Sequence, residues 1–106
     1  MTQVNHVVMV KFKEELSTEQ KDSLIQGFHD LPSLIPDIKA FEWGPNVTVE
    51  DLHQGFTHVF VLTFHSPEGR DNYLVHPAHT DFANKLLPAV DKVVVFDFHP
   101  SPVKCQ

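Results

Sequence analysis

Cysteine is almost absent from this chain of 106 residues, which contains one, Cys105. A single thiol cannot form an intrachain disulfide, so we expect a reducing compartment, the cytoplasm. Basic residues are also few, since eight lysines and arginines are outnumbered by fourteen aspartates and glutamates, which leaves a net charge of −6. This acidic balance argues against nucleic acid and anionic membrane surfaces as partners.

Long apolar runs are missing as well. The longest uncharged stretches, such as residues 93–96, are short, whereas a membrane-spanning helix needs roughly 18 apolar residues or more. With 42% hydrophobic and 21% charged residues, the composition is typical of a soluble globular domain. No repeat, low-complexity run or linker divides the chain, so we predict one domain over residues 1–99 and a loose tail over residues 100–106.

Histidine and phenylalanine are abundant by contrast, with eight and nine residues against one tyrosine and one tryptophan. Segments rich in β-branched and aromatic residues predict strands over residues 4–12, 38–43, 56–65 and 92–99. The capping pattern Ser-Thr-Glu-Gln at 17–20 begins a helix that Pro32 should kink or end nearby. A second helical region starts after Ser66 and breaks before Pro77. A Gly-Pro-Asn sequence after the second strand is predicted to turn the chain.

The resulting order of strand, helix, strand, strand, broken helix and strand is the βαββαβ pattern of a ferredoxin-like α+β fold. One face of its sheet packs on the helices. The strands over 4–12 and 56–65 are apolar on both faces, however, so the second sheet face is apolar too. Such a surface predicts burial against a second copy, most simply in a two-fold homodimer whose sheets close into an α+β barrel. Further assembly of dimers is left open.

The eight histidines fall into groups that differ in their surroundings. Four have polar neighbours and are predicted to be surface residues: His29, His53, His65 and His99. His6 and His58 instead lie within strands, on faces shared with apolar side chains. A histidine in that position is more often a core residue bonded to a carbonyl than a catalytic group, but two of them on neighbouring strands favour a site.

The segment 73–79, Tyr-Leu-Val-His-Pro-Ala-His, carries the strongest local signal. On one continuous helix, Tyr73 and His79 would point about 240° apart around the axis. A break at Pro77 removes that restriction, with His76 as the N-cap and His79 near the third helical position. The helix dipole there disfavours imidazolium, so His79 would stay neutral, as a general base requires. The alternative is that Tyr73 packs in the core and His79 is solvated.

A metal site is a further alternative. His76 and His79 have an i, i+3 spacing, and His6 or His58 would be a third ligand. However, His76 is already used in the turn before Pro77, and no acidic residue in this segment completes or orients the ligand set. We therefore predict no metal.

Several short stretches, read in order, carry a family resemblance: VNHV at 4–7, KFK at 11–13, LIP at 34–36, WG at 43–44, GFTH at 55–58, YLVHPAH at 73–79 and FDF at 96–98. On these stretches the chain resembles the stress-responsive A/B barrel (Dabb) family over nearly its whole length. The resemblance implies a ferredoxin-like fold, dimerisation into an α+β barrel and no cofactor.

The resemblance also implies candidate activities. Plant members of the family include a polyketide cyclase, a hydroxynitrile lyase and heat-stable stress proteins. In the cyclase, a tyrosine–histidine dyad catalyses an intramolecular aldol condensation, and its positions match Tyr73 and His79. This chain departs from the cyclase at Phe28, where the cyclase has a tyrosine, and at Val90, where it has a tryptophan.

Two hypotheses of different classes follow. In the first, the protein is a cofactor-free cyclase or lyase acting on a small apolar carbonyl compound or polyketide. His79, oriented by Tyr73, removes a proton next to a carbonyl, while His6 or His58 donates to the developing enolate or alkoxide. The apolar pocket wall is expected from Phe28, Phe60, Phe82 and Val95.

In the second hypothesis, the protein is a non-catalytic dimer that gives protection under stress or holds a small ligand. The covered sheet, apolar barrel and short loops fit both hypotheses. The observation that separates them is whether the tyrosine and the three candidate histidines converge on one cavity.

Overall fold

The computed structural model of the protein describes residues 2–101, and residues 102–106 of the predicted tail lie outside that range. The helices and strands follow the predicted order. They are β1 (Val4–Phe12), α1 (Thr18–Leu34), β2 (Ile38–Pro45), β3 (His58–Phe64), α2 (Pro67–Val75), α3 (Pro77–Leu86), a 3₁₀ turn (Leu87–Ala89) and β4 (Val90–Phe98). The broken helical region is thus two separate helices, α2 and α3.

The four strands form one antiparallel sheet in the order β2-β3-β1-β4, which is the arrangement of a ferredoxin-like α+β fold. The first and last strands are therefore neighbours. Their register places His6 opposite Asp97, while on the other side His6 lies opposite Leu62 of β3. Burial alternates along β1, with every second residue from Val4 to Phe12 buried beneath the helices.

The core between the sheet and the helices is rich in aromatic rings. The ring of Phe28, on α1, stacks on Phe60 with 4.5 Å between centroids and lies 4.9 Å from the ring of Phe82. Helix α1 begins with the predicted capping box, in which Ser17 and Gln20 each accept a hydrogen bond from the other's backbone N–H. The ring contacts of Phe28 hold α1 against the sheet and α3.

Two expectations about prolines have different outcomes. Pro32 lies in the last turn of α1, and the helix ends two residues later at Leu34, as its position predicts. The predicted turn at Gly-Pro-Asn is wrong for its first two residues, because Gly44 and Pro45 continue β2 and pair with β3. β2 is an edge strand, so a residue without an N–H is tolerated there.

The second face of the sheet carries no helix among residues 2–101 and is mostly apolar, as the strand patterns predict, with Asn5, Thr63, Lys11 and Lys92 towards its ends. We call it the open face; by register it carries Val7, Met9, Val59, Val61, Val94, Phe96 and Phe98. Phe96 is 63% exposed, which is unusual for so large an apolar side chain. Within the described residues, no helix is both long and apolar enough to cross a membrane.

Candidate active site

The break between α2 and α3 brings Tyr73 and His79 together. His76 ends α2 and is also the N-cap of α3, where its Nδ1 accepts a hydrogen bond from the backbone N–H of Ala78 at 3.0 Å. Pro77 occupies the first position of α3. As a result, the ring centroids of Tyr73 and His79 are 4.3 Å apart. The predicted cap and the predicted break are both confirmed.

His6 reaches the same place from β1. Its ring meets Tyr73 edge-on, with 5.7 Å between centroids, and the residue is only 4% exposed. Its Nδ1 is 2.6 Å from Oδ1 of Asp97, the residue opposite it on β4. The second carboxylate oxygen of Asp97 accepts a hydrogen bond from Nη1 of Arg70 at 2.8 Å. The imidazole of His6 is therefore anchored to a carboxylate that is itself held by an arginine.

Asp97 and Arg70 were not among the site residues predicted from the sequence. One signal was available, because Asp97 is an acidic residue between two phenylalanines, after the apolar run 93–96. Its pairing with His6 depends on the register between β1 and β4, which are 91 residues apart in sequence at this contact. That register is a property of the folded sheet rather than of any local pattern.

One pocket of about 230 Å³ contains His6, Tyr73 and His79. Its remaining lining is apolar and comes from α1, α2, α3 and its 3₁₀ extension, β1 and β4: Val8, Phe28, Leu74, Phe82, Ala83, Leu86, Leu87, Val93 and Val95. Val95 on β4 and Leu87 on the 3₁₀ turn are 56% and 53% exposed, so the mouth of the pocket lies beside these two residues. No side chain in this lining carries a fixed formal charge.

Three of the four predicted wall residues, Phe28, Phe82 and Val95, line this pocket. Phe60 does not, and its assignment to the wall needs correction. It is 1% exposed and lies beneath the stacked ring of Phe28. Phe60 therefore supports the wall from behind.

His58 lies in a different place from the other three polar residues. On β3 it pairs with Val10, four residues along β1 from His6, which corresponds to about 14 Å of strand at about 3.4 Å per residue. Its ring packs edge-on against Phe12 and parallel to Trp43, and its Nδ1 is 2.9 Å from the hydroxyl of Thr57. The expectation that His58 shares the site is therefore not met.

His58 instead contributes to a second pocket of about 360 Å³ at the other end of the sheet, beside Met9 and Phe56. Burial, and then the positive charge of Lys21, lower the pKa of His58. The sequence placed His6 and His58 on the same sheet face, but only the register shows that they lie near opposite ends of the strands.

The neighbours of His79 fix which of its nitrogens carries the proton. Nδ1 is 3.2 Å from the carbonyl oxygen of Leu74, which can only accept, so Nδ1 is the donor. In the neutral ring, Nε2 then carries the free lone pair. Burial lowers the pKa of His79, and so does the charge of His6 when protonated, although the bond to Leu74 opposes them. His79 is thus a neutral imidazole near pH 7.

Tyr73 is the complementary group. The residue is 1% exposed. Burial raises the pKa of Tyr73, and the negative charge of Asp97 raises it further, so the phenol keeps its proton. Within residues 2–101, no fully buried side-chain nitrogen or oxygen lacks a hydrogen-bond partner. His6 and Tyr73 both line the pocket, and neither the Tyr73 hydroxyl nor Nε2 of His6 is hydrogen-bonded to a described residue.

The four predicted surface histidines are exposed, which confirms that assignment: His29, His53, His65 and His99. Over residues 2–101, no group of three histidine, cysteine, aspartate or glutamate side chains is arranged to hold a metal ion. The arrangement of His6, Tyr73 and His79 instead combines proton acceptors with one protonated phenol, which is suited to acid–base chemistry.

The sheet order, the split second helix and the tyrosine–histidine pocket together define a ferredoxin-like α+β domain with a small apolar site. The family is then plain from comparison with known proteins. The chain belongs to the stress responsive A/B barrel domain family, whose model matches residues 4–100.

Three relatives illustrate the range of the family. The chain is 46% identical over 100 residues to the stress-response A/B barrel domain-containing protein HS1 of Arabidopsis thaliana, covering 94% of this chain and 92% of that protein. It is 34% identical over 97 residues to olivetolic acid cyclase of Cannabis sativa, covering 92% and 96% respectively. The structure of a hydroxynitrile lyase from Passiflora edulis matches with a TM-score of 0.92 and 32% identity over 97% of each chain.

A more distant structure shares the fold. It is described as a dimeric ferredoxin-like protein from Jannaschia sp., with 24% identity and a TM-score of 0.82 over 92% of this chain and 99% of that one.

The cap at His76 gives a test of the helix break. His76→Ala removes the acceptor of the Ala78 N–H, and we expect the free energy of unfolding to fall by about 1 kcal/mol. His76→Asn should retain most of that free energy, because the asparagine oxygen can accept the same hydrogen bond. Urea denaturation monitored by circular dichroism measures both. An equal loss in the two variants would mean that the side chain of His76 does not act as the cap.

Proposed function

We propose that this protein is a cofactor-independent enzyme of the lyase or cyclase type, in which His79 removes a proton from a small neutral carbonyl compound. The observation that carries the proposal is the convergence of His79, Tyr73 and His6 on one apolar pocket. The names of two relatives, a cyclase and a hydroxynitrile lyase, support the same class of reaction.

His79 is the proposed base. Its Nδ1 donates to the carbonyl of Leu74, so the lone pair on Nε2 is free to accept a proton from the substrate. The same contact positions the ring and stabilises the Nδ1–H of the imidazolium that forms. Because the pKa of His79 is lowered by burial, the base is already unprotonated at neutral pH.

Tyr73 is the proposed donor to the oxyanion that develops as the proton leaves. Tyr73 lines the pocket, its hydroxyl keeps its proton, and its ring lies beside His79. His6 has a different role from the donor expected from sequence. With Nδ1–H directed at Asp97, a neutral His6 presents an acceptor at Nε2. We therefore assign His6 to binding a hydroxyl of the substrate or accepting a second proton.

The lining also constrains the substrate. No lining side chain carries a fixed charge, and the guanidinium of Arg70 is bonded to Asp71 and Asp97. A carboxylate or phosphate would therefore lose its hydration without a compensating cation. The volume of about 230 Å³ is below the usual range for ligand pockets, about 300–1,000 Å³. A small neutral carbonyl group fits this environment, and a longer substrate would extend out past Val95.

A second candidate function is a non-catalytic one, stress protection or the holding of a small ligand. The observation that favours it is the 46% identity to a relative named as a stress-response protein, which exceeds the 34% to the cyclase. The two functions share the same pocket. They differ in whether a bound compound is converted.

We further propose that the protein is a homodimer joined through the open face. That face is apolar across three strands, and Phe96 and Phe98 are 63% and 42% exposed on it. Leaving it in water is costly, whereas burial against a second copy gains roughly 25 cal/mol for each Å² covered. The protein from Jannaschia sp. that shares the fold is described as dimeric, which is consistent with a homodimer.

Substitution of His79 tests the catalytic proposal. His79→Ala should lower kcat on linear polyketide thioesters by about 10²-fold or more, because the base is lost. Tyr73→Phe, which removes only the hydroxyl, should lower kcat with little change in KM. His65→Ala is the matched control, since His65 is exposed and outside the pocket. Turnover by His79→Ala equal to wild type would remove His79 from the mechanism, and no turnover by the wild type would favour the non-catalytic function.

The pH dependence tests the state of the base. His79 acts unprotonated, and its pKa is lowered from the ordinary 6.5. The rate should therefore be at its plateau near pH 7 and fall only as the pH drops through a midpoint below 6.5. Measurement of kcat/KM between about pH 4 and pH 9 reports this pKa in the free enzyme. A midpoint above 6.5 would contradict the assignment.

The oligomeric state tests the open face. Phe96→Lys places a charge in the proposed interface and should shift the sedimentation coefficient from that of a dimer to that of a monomer. Val75→Lys is the control, because Val75 is 78% exposed and lies at the end of α2, away from the open face. A wild-type protein that sediments as a monomer at micromolar concentration would refute the dimer.

A further inference from the structure

An ion-pair cluster lies directly behind the pocket and is not part of its lining. Arg70, on α2, donates from Nε to Asp71 and from Nη1 to Asp97, each at 2.8 Å. Asp97 uses its two oxygens separately, one for Arg70 and the other for Nδ1 of His6 at 2.6 Å. A continuous chain of hydrogen bonds thus runs from a partly exposed arginine to an imidazole in the pocket.

We propose that Arg70 is a positioning residue, which holds Asp97 so that His6 keeps its proton on Nδ1 and its lone pair on Nε2 towards the pocket. The effect of Arg70 on turnover rests on the proposed function. The position and tautomer of His6 can be measured without a substrate.

The burial of the three groups explains why the arginine is needed. The side chain of His6 is 5% exposed, whereas those of Asp97 and Arg70 are each 25% exposed. A carboxylate at that depth has access to water on one side and rotates readily about its terminal torsion. Without Arg70, water would compete for Asp97, and the oxygen facing His6 would no longer be fixed.

No other described group around His6 replaces this contact. Tyr73 on α2 meets it edge-on, and Phe64 on β3 also packs against it edge-on, at 6.2 Å between centroids. His79 on α3 is the remaining titratable group facing the pocket. Among residues 2–101, Asp97 alone is hydrogen-bonded to the ring of His6. The orientation of His6 therefore depends on that one carboxylate.

The geometry also explains why the cation is an arginine. Its guanidinium bonds two carboxylates at once, from two nitrogens in a rigid plane. The side chain of Asp71 is 65% exposed, so the bond to Asp97 is the more protected of the two. A lysine supplies the charge but not the plane, so it should restore the arrangement only in part.

Nitrogen-15 NMR of the histidine rings tests the proposal directly. In the wild type, His6 should be in the Nδ1-protonated form, with a downfield Nδ1–H resonance from the short bond to Asp97. Arg70→Met, which keeps an unbranched apolar stem but no donor, should lose that resonance and populate both tautomers. Arg70→Lys should recover part of the signal. Asp71→Asn is the matched control and should keep the wild-type spectrum, because the bond from Arg70 to Asp97 remains.

An unchanged His6 spectrum in folded Arg70→Met would overturn the proposal. If that variant does not fold, Arg70→Gln gives the same test with a polar side chain, and an unchanged spectrum there has the same meaning. Equal loss of signal in Asp71→Asn and Arg70→Met would also overturn it, since it would show a general loosening of α2.

Turnover gives the second readout. Where the proposed reaction is observed, Arg70→Met should lower kcat by about 10-fold to 100-fold, with little change in KM, and Asp71→Asn should not. If Arg70→Met loses the Nδ1–H resonance of His6 but the wild type shows no turnover, the proposed function is refuted and the positioning role of Arg70 stands. An unchanged spectrum with normal turnover would refute the positioning role alone.

Discussion

Pro77 has no backbone N–H to donate, and its ring disfavours helical geometry at the residue before it, so the second helical region ends at Val75 and begins again. The pocket depends on this break in two ways. It turns α3 relative to α2, which brings Tyr73 and His79 to the same side. It also leaves the carbonyls of the last turn of α2 without helical partners, and one of them, that of Leu74, accepts the Nδ1–H of His79. The same event therefore sets both the position of the base and its tautomer.

Burial then acts in opposite directions on the two partners. It lowers the pKa of His79 and raises the pKa of Tyr73, so a neutral base and a neutral acid lie beside each other near pH 7. Asp97, the carboxylate whose charge acts on Tyr73, is paired with Arg70 and is not part of the lining. The pocket therefore has strong hydrogen-bonding groups but no fixed charge of its own, which favours a neutral ligand over an anion.

The sequence predicted the parts of this arrangement that are local. The capping patterns, the break at Pro77 and the resulting proximity of Tyr73 to His79 need only a few neighbouring residues, and they are present in the structure. His58 and Asp97 depend on the register of three strands distant in sequence. Residue type and strand position alone made His58 as good a candidate for the site as His6. They also gave no reason to expect a contact between His6 and Asp97, which only the strand register shows. Phe60 shows a related limit, since facing the helices does not distinguish a ring that lines a cavity from one beneath it.

Exchange of a carbon-bound proton tests the central claim, that His79 is a base acting in a neutral apolar pocket. A small neutral 1,3-diketone is incubated in D₂O with the wild type, with His79→Ala and with the exposed-site variant His65→Ala, and loss of the proton signal between its carbonyls is followed by NMR. The wild type and His65→Ala should exchange it faster than buffer, and His79→Ala should not exceed the rate in buffer. Equal exchange by the wild type and His79→Ala would contradict the claim.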